Sequence, residues 1–307
     1  GSTHQYIAKP CDPLNLKSTI HRATQLRQSL GNDQIMDLVA GLDKMPSLPT
    51  LYLKIVEKLE DPDASLADVA DIISQDIGMT MNILKVVNSA FFGISRHIID
   101  VHEGVSFLGL ELVKSLVLVC EIFTQYPQGS TGPSPEALWH HSMDVAVLAK
   151  SILENEGRPR KEAESAFLAG MLHDVGKLIL SSNFGEEYDV VIARSNEAAI
   201  PLVQVEKEVL NATHAGVGSF LLGLWGLAEP IIKAIALHHQ PSKSLDEEFG
   251  LLGAIHVADA LVNESKMHSD KPWGGESHLD EYFLETFNLY EQVPQWRELL
   301  LVTANHS

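Results

Sequence analysis

The segment MLHDVGKLIL (171–180) is apolar at both ends and carries His173, Asp174 and Lys177 in its middle. On one helix, His173 and Lys177 would lie four residues apart and Asp174 and Lys177 three apart, so the three side chains would share one region. Taken alone, the trio also reads as an ion pair at a helix end capped near Gly176. Other residues widen the question. In ALWHHSMDVAVLAKSIL, the residues Leu138, Val145, Leu148 and Ile152 define an apolar helix face, and His141 falls on it one turn before Val145. His140 is turned away by about 100°. His214 opens a predicted helix in NATHAGVGSFLLGLWG behind a Thr213 cap. His238 and His239 close another, IIKAIALHHQP, just before Pro241. Asp259 shares the apolar face of Leu252, Ile255 and Val262.

Each of these residues has an ordinary explanation: a hydrogen-bonded core histidine, a solvated first-turn histidine, or favourable charge at a helix end. Asp259 is the hardest to explain so, because a carboxylate on a buried face needs a cation or several donors. Together, inward or terminal histidines and carboxylates on several helices point to a shared partner, a divalent metal pair with mixed ligands. Asp174 is placed to bridge two ions. Iron is the first expectation, with manganese or zinc next.

The elements that must position these residues are helices. SLADVADIISQD places Leu66, Val69, Ala70 and Ile73 on one face behind a Ser65 N-cap. MNILKVVNSAFFG repeats the pattern and is expected to stop at Gly93. LGLELVKSLVLVCEIF continues it; Val117 to Val119 could pass for a strand, but no hairpin turns flank them. Candidate strands elsewhere are few and short, so the predicted class is all-α. The Pro-, Gly- and Ser-rich stretch YPQGSTGPSP (126–135) is the best internal boundary. It separates a helical block over 32–130 from a second over 131–265. A polar, turn-rich stretch (263–278) precedes a C-terminal extension (266–307) of two short helices ending near Val302.

Composition bounds the function. The 307 residues are 45% hydrophobic and carry a net charge of 22 − 41 = −19. A chain this acidic lacks the field that draws in phosphate backbones, so no direct nucleic-acid binding is expected. The two cysteines, Cys11 and Cys120, are far apart and form no disulfide framework, which suits a reducing cytoplasm. No secretory signal is visible, and the apolar run Phe220 to Leu237 is broken by Glu229, Pro230 and Lys233, so no membrane span is expected. Gly1-Ser2 reads as a cloning remnant.

The set His141, His173-Asp174 and Asp259 resembles the H…HD…D signature of the HD superfamily of metal-dependent phosphohydrolases. His214 and His238-His239 resemble the second-metal ligands of its HD-GYP branch, which hydrolyses cyclic dinucleotides. The resemblance implies a metal-ligand set of His141, His173, Asp174, His214, His238, His239 and Asp259, with Asp174 and Lys177 as catalytic residues and Lys177 on a substrate phosphate. Two departures stand out: QPSKSLDEEF follows His239 where that branch has its Gly-Tyr-Pro loop, and Ala137 stands where some members carry a glutamate.

The stretch from Met45 to Gly93 is similar to the N-terminal part of the HDOD family, the HD-related output domain. Leu48-Pro49, Asp61-Pro62, Asp76 through Thr80 and Asn88-Ser89-Ala90 carry that likeness, and VSFLGLELVKSL fits the segment that follows. The whole resemblance covers roughly residues 40 to 262. It implies an N-terminal helical block packed with an HD-type helical metal-site block, acting as a signalling output module with a protein partner. A phosphohydrolase acting on a nucleotide or cyclic dinucleotide is the alternative it implies. Residues 1–31, with Lys9-Pro10 between a strand-like piece and a helix, resemble the last strand–loop–helix of a response-regulator receiver domain.

Overall fold

The computed structural model describes residues 48–88, 96–126, 134–266 and 278–304, together with Ile35, Leu38, Val39, Gly41, Leu42, Phe92 and Ile94. The described elements are α-helices and short 3-10 turns, with no strand among the described residues. The all-α expectation holds, and Val117 to Val119 are helical. None of these helices is long and apolar enough to cross a membrane. The receiver-like segment with Lys9-Pro10, Cys11, the boundary residues 127–133, the turn-rich residues 267–277, and Ser89, Ala90 and Gly93 lie outside the described residues.

The first block holds α1 (Thr50–Lys58), α2 (Leu66–Ser74), α3 (Ile77–Val87), α4 (Val101–Leu108) and α5 (Leu110–Thr124). Local chemistry sets their ends. Ser65 and Asp68 form a reciprocal capping box at the start of α2. The Asp76 carboxylate accepts from Met79 N and starts α3. Helix α3 stops at Asn88, short of the Gly93 expected from sequence. The Asn88 amide donates to the carbonyls of Leu84 and Ile98, and its oxygen accepts from Ile98 N. A side chain that satisfies backbone groups in this way ends a helix without glycine. Glu121 of α5 accepts from Leu51 N and Tyr52 N at the start of α1, which joins the two helices.

The second block holds α6 (Pro135–Asn155), α7 (Arg160–Leu172), α8 (Val175–Ala198), α9 (Leu202–Leu210), α10 (His214–Leu224), α11 (Glu229–Leu237) and α12 (Leu251–Lys266). Ser134 caps α6, with Pro135 in its first turn. Helix α7 packs on α5, α6, α11 and α12, and α8 packs on α9 and α10. At the α6–α7 crossing, a Cβ on Gly170 would fall 2.5 Å from Ala146 Cα, so only glycine lets the helices meet so closely. Two further helices, α13 (Glu281–Thr286) and α14 (Val293–Ala304), close the chain as expected, and α14 lies against α6. Trp296 is fully buried there, stacked on Phe249, with its indole N–H on Glu156. One apolar cluster runs from Ile55 and Leu116 in the first block through Phe167 and Val257 to Trp296. The polar residues buried inside it are therefore conspicuous.

Candidate metal centre

Six sequence positions predicted to face inward or end helices converge in this core. His141 lies on the buried face of α6, while His140 is exposed. His173 and Asp174 do not sit on a continuous helix, which corrects the single-helix placement. Helix α7 stops at Leu172 and α8 begins at Val175, with His173 and Asp174 forming the turn between them. Gly176 is no cap; it stands in the first turn of α8, against the start of α10. A side chain there would collide with the His214 carbonyl, so the break and the close approach go together. Lys177 follows in the same turn. His214 is the first residue of α10, with the Thr213 hydroxyl accepting from Gly216 N. It is wholly buried, not solvated as a first-turn residue usually is. His238 caps the C-terminus of α11, and Asp259 lies on α12.

The two oxygens of Asp174 face different neighbours. Oδ2 lies 3.5 Å from His141 Nε2, 3.3 Å from His173 Nε2 and 2.6 Å from Lys177 Nζ. Oδ1 lies 3.2 Å from His214 Nε2 and 3.9 Å from His238 Nε2. Asp259 Oδ1 closes the first side at 3.2 Å from His141 Nε2, and its Oδ2 is 3.9 Å from His239 Nδ1. His214 Nε2 and His239 Nε2 are 3.0 Å apart. Ligand atoms within 4.8 Å of one another form two principal groups, His141–His173–Asp174 and Asp174–His214–His238–His239, and a third of His173, His238 and Asp259. All predicted ligands thus come together, with Asp174 common to both principal groups.

The donor set fits a divalent transition metal. His173 Nε2, His238 Nε2 and Asp174 Oδ1 are buried and make no hydrogen bond; the contact of His214 with Oδ1 is close but off the angle of one. The His173 and His238 Nδ1 atoms are each 2.7 Å from a carbonyl one turn back, Gly170 and Ile235, so in the neutral ring the lone pair of each is on Nε2, at the centre. Buried lone pairs that converge without donors are what a cation satisfies.

Without an ion, the charges compensate one another. Burial opposes ionisation of Asp174, yet His173 and Lys177 hold its pKa well below the usual range. Burial likewise opposes charge on His173, but Asp174 and Asp259 raise its pKa to about 10. Lys177 is raised by Asp174 against the effect of burial. Burial lowers His141, His239 and His256, and burial with the charge of His173 pushes His238 down to about 3.

A pH dependence follows. Histidines held neutral in the fold take up protons on unfolding, so their contribution is present above about pH 6.5 and is lost as pH falls below it. The raised His173 already contributes fully below that pH, so it does not offset the loss. The metal-free protein should therefore lose up to about 1.4 kcal/mol per pH unit for each of His238 and His239 between pH 6.5 and 5. Urea unfolding at both pH values checks this, and an unchanged midpoint would contradict it.

Several residues at the site were not singled out in the sequence. Glu206 of α9 is wholly buried and accepts from Tyr188 Oη at 2.6 Å and from His214 N at 2.9 Å, and lies 2.8 Å from His214 Nδ1. His256 bridges the His238 carbonyl and Asp280 N, 2.7 and 2.8 Å away, and so ties the C-terminal extension to the histidine pair. Asn263 donates to Asp259 Oδ1 at 2.7 Å. Glu206 and His256 each follow an apolar residue by one helical turn, Leu202 and Leu252, and that spacing is a signal for both.

Comparison with known proteins places this geometry in a family. The HDOD domain matches residues 45–241, well over half of the chain. The chain belongs to the HDOD family. Six of the seven predicted ligands of this HDOD protein lie inside the matched region; Asp259 lies beyond it. An HDOD domain protein with unknown function from Geobacter sulfurreducens is 25% identical, with a TM-score of 0.66, covering 90% of this chain and 98% of that one. A second structure, from Shewanella amazonensis SB2B, is 19% identical with a TM-score of 0.60, covering 94% of this chain and 100% of that one, and shows the shared fold alone. An uncharacterized protein of Treponema pallidum (strain Nichols) is 26% identical over 254 residues, which are 83% of this chain and 45% of that protein. The HDOD chain thus spans about half the length of this curated relative.

Proposed function

We propose that this HDOD chain is a cytoplasmic signalling output module of a two-component response regulator, built around a divalent metal centre that sets the arrangement of its helices. The observation that carries the reading is enclosure. His173, His214 and His238 are 0% exposed, Asp174 1%, Asp259 2% and His141 3%. Only the His239 side chain, 20% exposed, opens the cluster to solvent to any extent. A centre so enclosed suits a metal that holds helices together. The receiver-like likeness of residues 1–31 and the missing Gly-Tyr-Pro loop agree with it. In this reading residues 131–265 carry the metal, residues 32–130 present a surface to a protein partner, and residues 266–307 buttress the metal block. Helix α5 packs directly on α7, whose end carries His173, and so joins the two blocks. Metal loading is expected to slow amide hydrogen exchange in α7, α8 and α10 and also in α5. Slowing confined to the ligand-bearing helices would contradict the coupling.

A second reading, a metal-dependent phosphohydrolase acting on a nucleotide or cyclic dinucleotide, is favoured by the retained ligand set with Lys177 beside it. His141, His173, Asp174 and Asp259 would hold one ion, and Asp174, His214, His238 and His239 another. Bound there, the metal would activate water and offset developing phosphate charge. Lys177 Nζ bonds to Asp174 and would be free to turn to a substrate phosphate if a bound cation neutralised that carboxylate. Lys177→Ala should leave metal content near that of the parent and, if the protein hydrolyses such a substrate, lower turnover by about 100-fold or more. A parent loaded with iron, manganese or zinc that cleaves no nucleotide or cyclic dinucleotide removes this reading for those substrates.

A further inference from the structure

The ligand histidines differ in what holds their far nitrogen. His173 and His238 each end a helix, where unpaired carbonyls are at hand, and each places Nδ1 on the carbonyl three residues back. His214 begins a helix, where the unpaired backbone groups are N–H donors. Its Nδ1–H finds no acceptor within its own turn. Glu206, from a different helix, supplies one. Its oxygens lie 2.9 and 2.8 Å from His214 Nδ1, and Oε2 also accepts from His214 N at 2.9 Å, which satisfies one of the free N–H groups at the start of α10.

Resting on the metal-centre reading, we infer that Glu206, steadied by Tyr188, is a positioning residue that fixes His214 as an Nε2 ligand and tunes metal affinity on the His214–His238–His239 side of Asp174. A carboxylate accepts hydrogen bonds and donates none, so Nδ1 facing it carries the proton in either charge state of the ring. The lone pair or exchangeable proton is then on Nε2, 3.2 Å from Asp174 Oδ1. A carboxylate behind a metal-binding imidazole makes it more basic than a carbonyl does, and loss of such a partner typically lowers metal affinity about 10- to 100-fold. Tyr188 Oη occupies Glu206 Oε1 and holds the carboxylate in place. Glu206 is thus set among α8, α9 and α10, with no path to solvent.

Two measurements on the full chain test this. Imidazole nitrogen NMR of the metal-free parent should show His214 protonated at Nδ1 in a hydrogen bond to a carboxylate, a signature that a merely space-filling Glu206 would not produce. His214 with Nδ1 unprotonated would overturn the inference, and this result needs no variant and no metal. Titration with Co2+, followed by visible absorption, should show affinity lowered about 10- to 100-fold in Glu206→Gln and partly restored in Glu206→Asp, which keeps the carboxylate. Tyr188→Phe should fall within a few-fold of the parent. A folded Glu206→Gln variant with the parent's affinity would overturn the inference. If the parent binds no Co2+, the metal-centre reading fails and the tuning role falls with it, whereas the tautomer still decides whether Glu206 orients His214.

Discussion

Asp174→Ala is expected to lose metal binding on both sides of the centre and to destabilise the metal-free fold. One oxygen faces His141, His173 and Lys177, and the other faces His214 and His238. Among the described residues, no other side chain belongs to both principal ligand groups. The substitution also leaves the Lys177 ammonium buried without its 2.6 Å partner. Breaking a buried ion pair from one side typically costs about 3–5 kcal/mol, because the remaining charge stays desolvated. Asp174→Asn separates the two effects. It keeps the volume and offers Lys177 a carbonyl oxygen, so it should lose less stability while still losing a bridging anion. We expect metal affinity to fall by about 100-fold or more in both variants, consistent with loss of a shared charged ligand. Calorimetric titration with Mn2+ or Zn2+ and urea unfolding read the two quantities separately. Parent-like affinity in Asp174→Asn would show that the carboxylate is not a ligand.

Gly176→Ala should be nearly as damaging, although glycine touches no ligand through a side chain. An added Cβ would fall 2.0 Å from the His214 carbonyl oxygen, 2.7 Å from its carbon and 2.9 Å from its Cα. These are backbone atoms, so no flexible side chain can move aside. Gly218, one turn into α10, lies against the same spot: its own Cβ would meet Gly176 N at 3.1 Å. Helix α10 must shift, and His214 with it. Overpacking in a close crossing costs typically 1–3 kcal/mol, and with backbone on both sides we expect about 3 kcal/mol or more. Gly157→Ala is the contrast. It meets nothing within 4 Å and carries only a positive φ of 69°. Its cost should be about 1–2 kcal/mol, from left-handed backbone alone. Gly176→Ala should therefore lower both stability and metal affinity, while Gly157→Ala lowers stability alone. Unchanged metal binding in Gly176→Ala would contradict the coupling of α8 to His214.

Helical period made much of this legible. His141 and Asp259 could be found because each falls on an apolar face, and burial was the only remaining question. Ser65 and Thr213 read correctly as caps, since a hydroxyl before an apolar run has one common use. The break at His173-Asp174 was not legible: the glycine just before it, Gly170, lies within α7 and does not end it, and the close approach that accompanies the break, α10 against Gly176, comes from a distant part of the chain. Asn88 likewise ends α3 through Ile98, ten residues away, a partner that local pattern cannot supply. For Glu206 the one signal, its spacing from Leu202, is masked by its neighbours, because VEKE reads as a solvated charged face. Its burial depends on Tyr188 and His214, both on other helices.

Metal analysis of the full chain tests the central claim most directly. The protein should be purified without chelator or His tag, reconstituted with Fe2+, Mn2+ or Zn2+, freed of excess ion and measured for bound metal, with Asp174→Asn treated alongside. A centre formed by His141, His173, Asp174, His214, His238, His239 and Asp259 predicts at least one ion per folded parent chain, and a large loss in the variant. A folded parent that retains close to none, or a variant that retains as much as the parent, would contradict it.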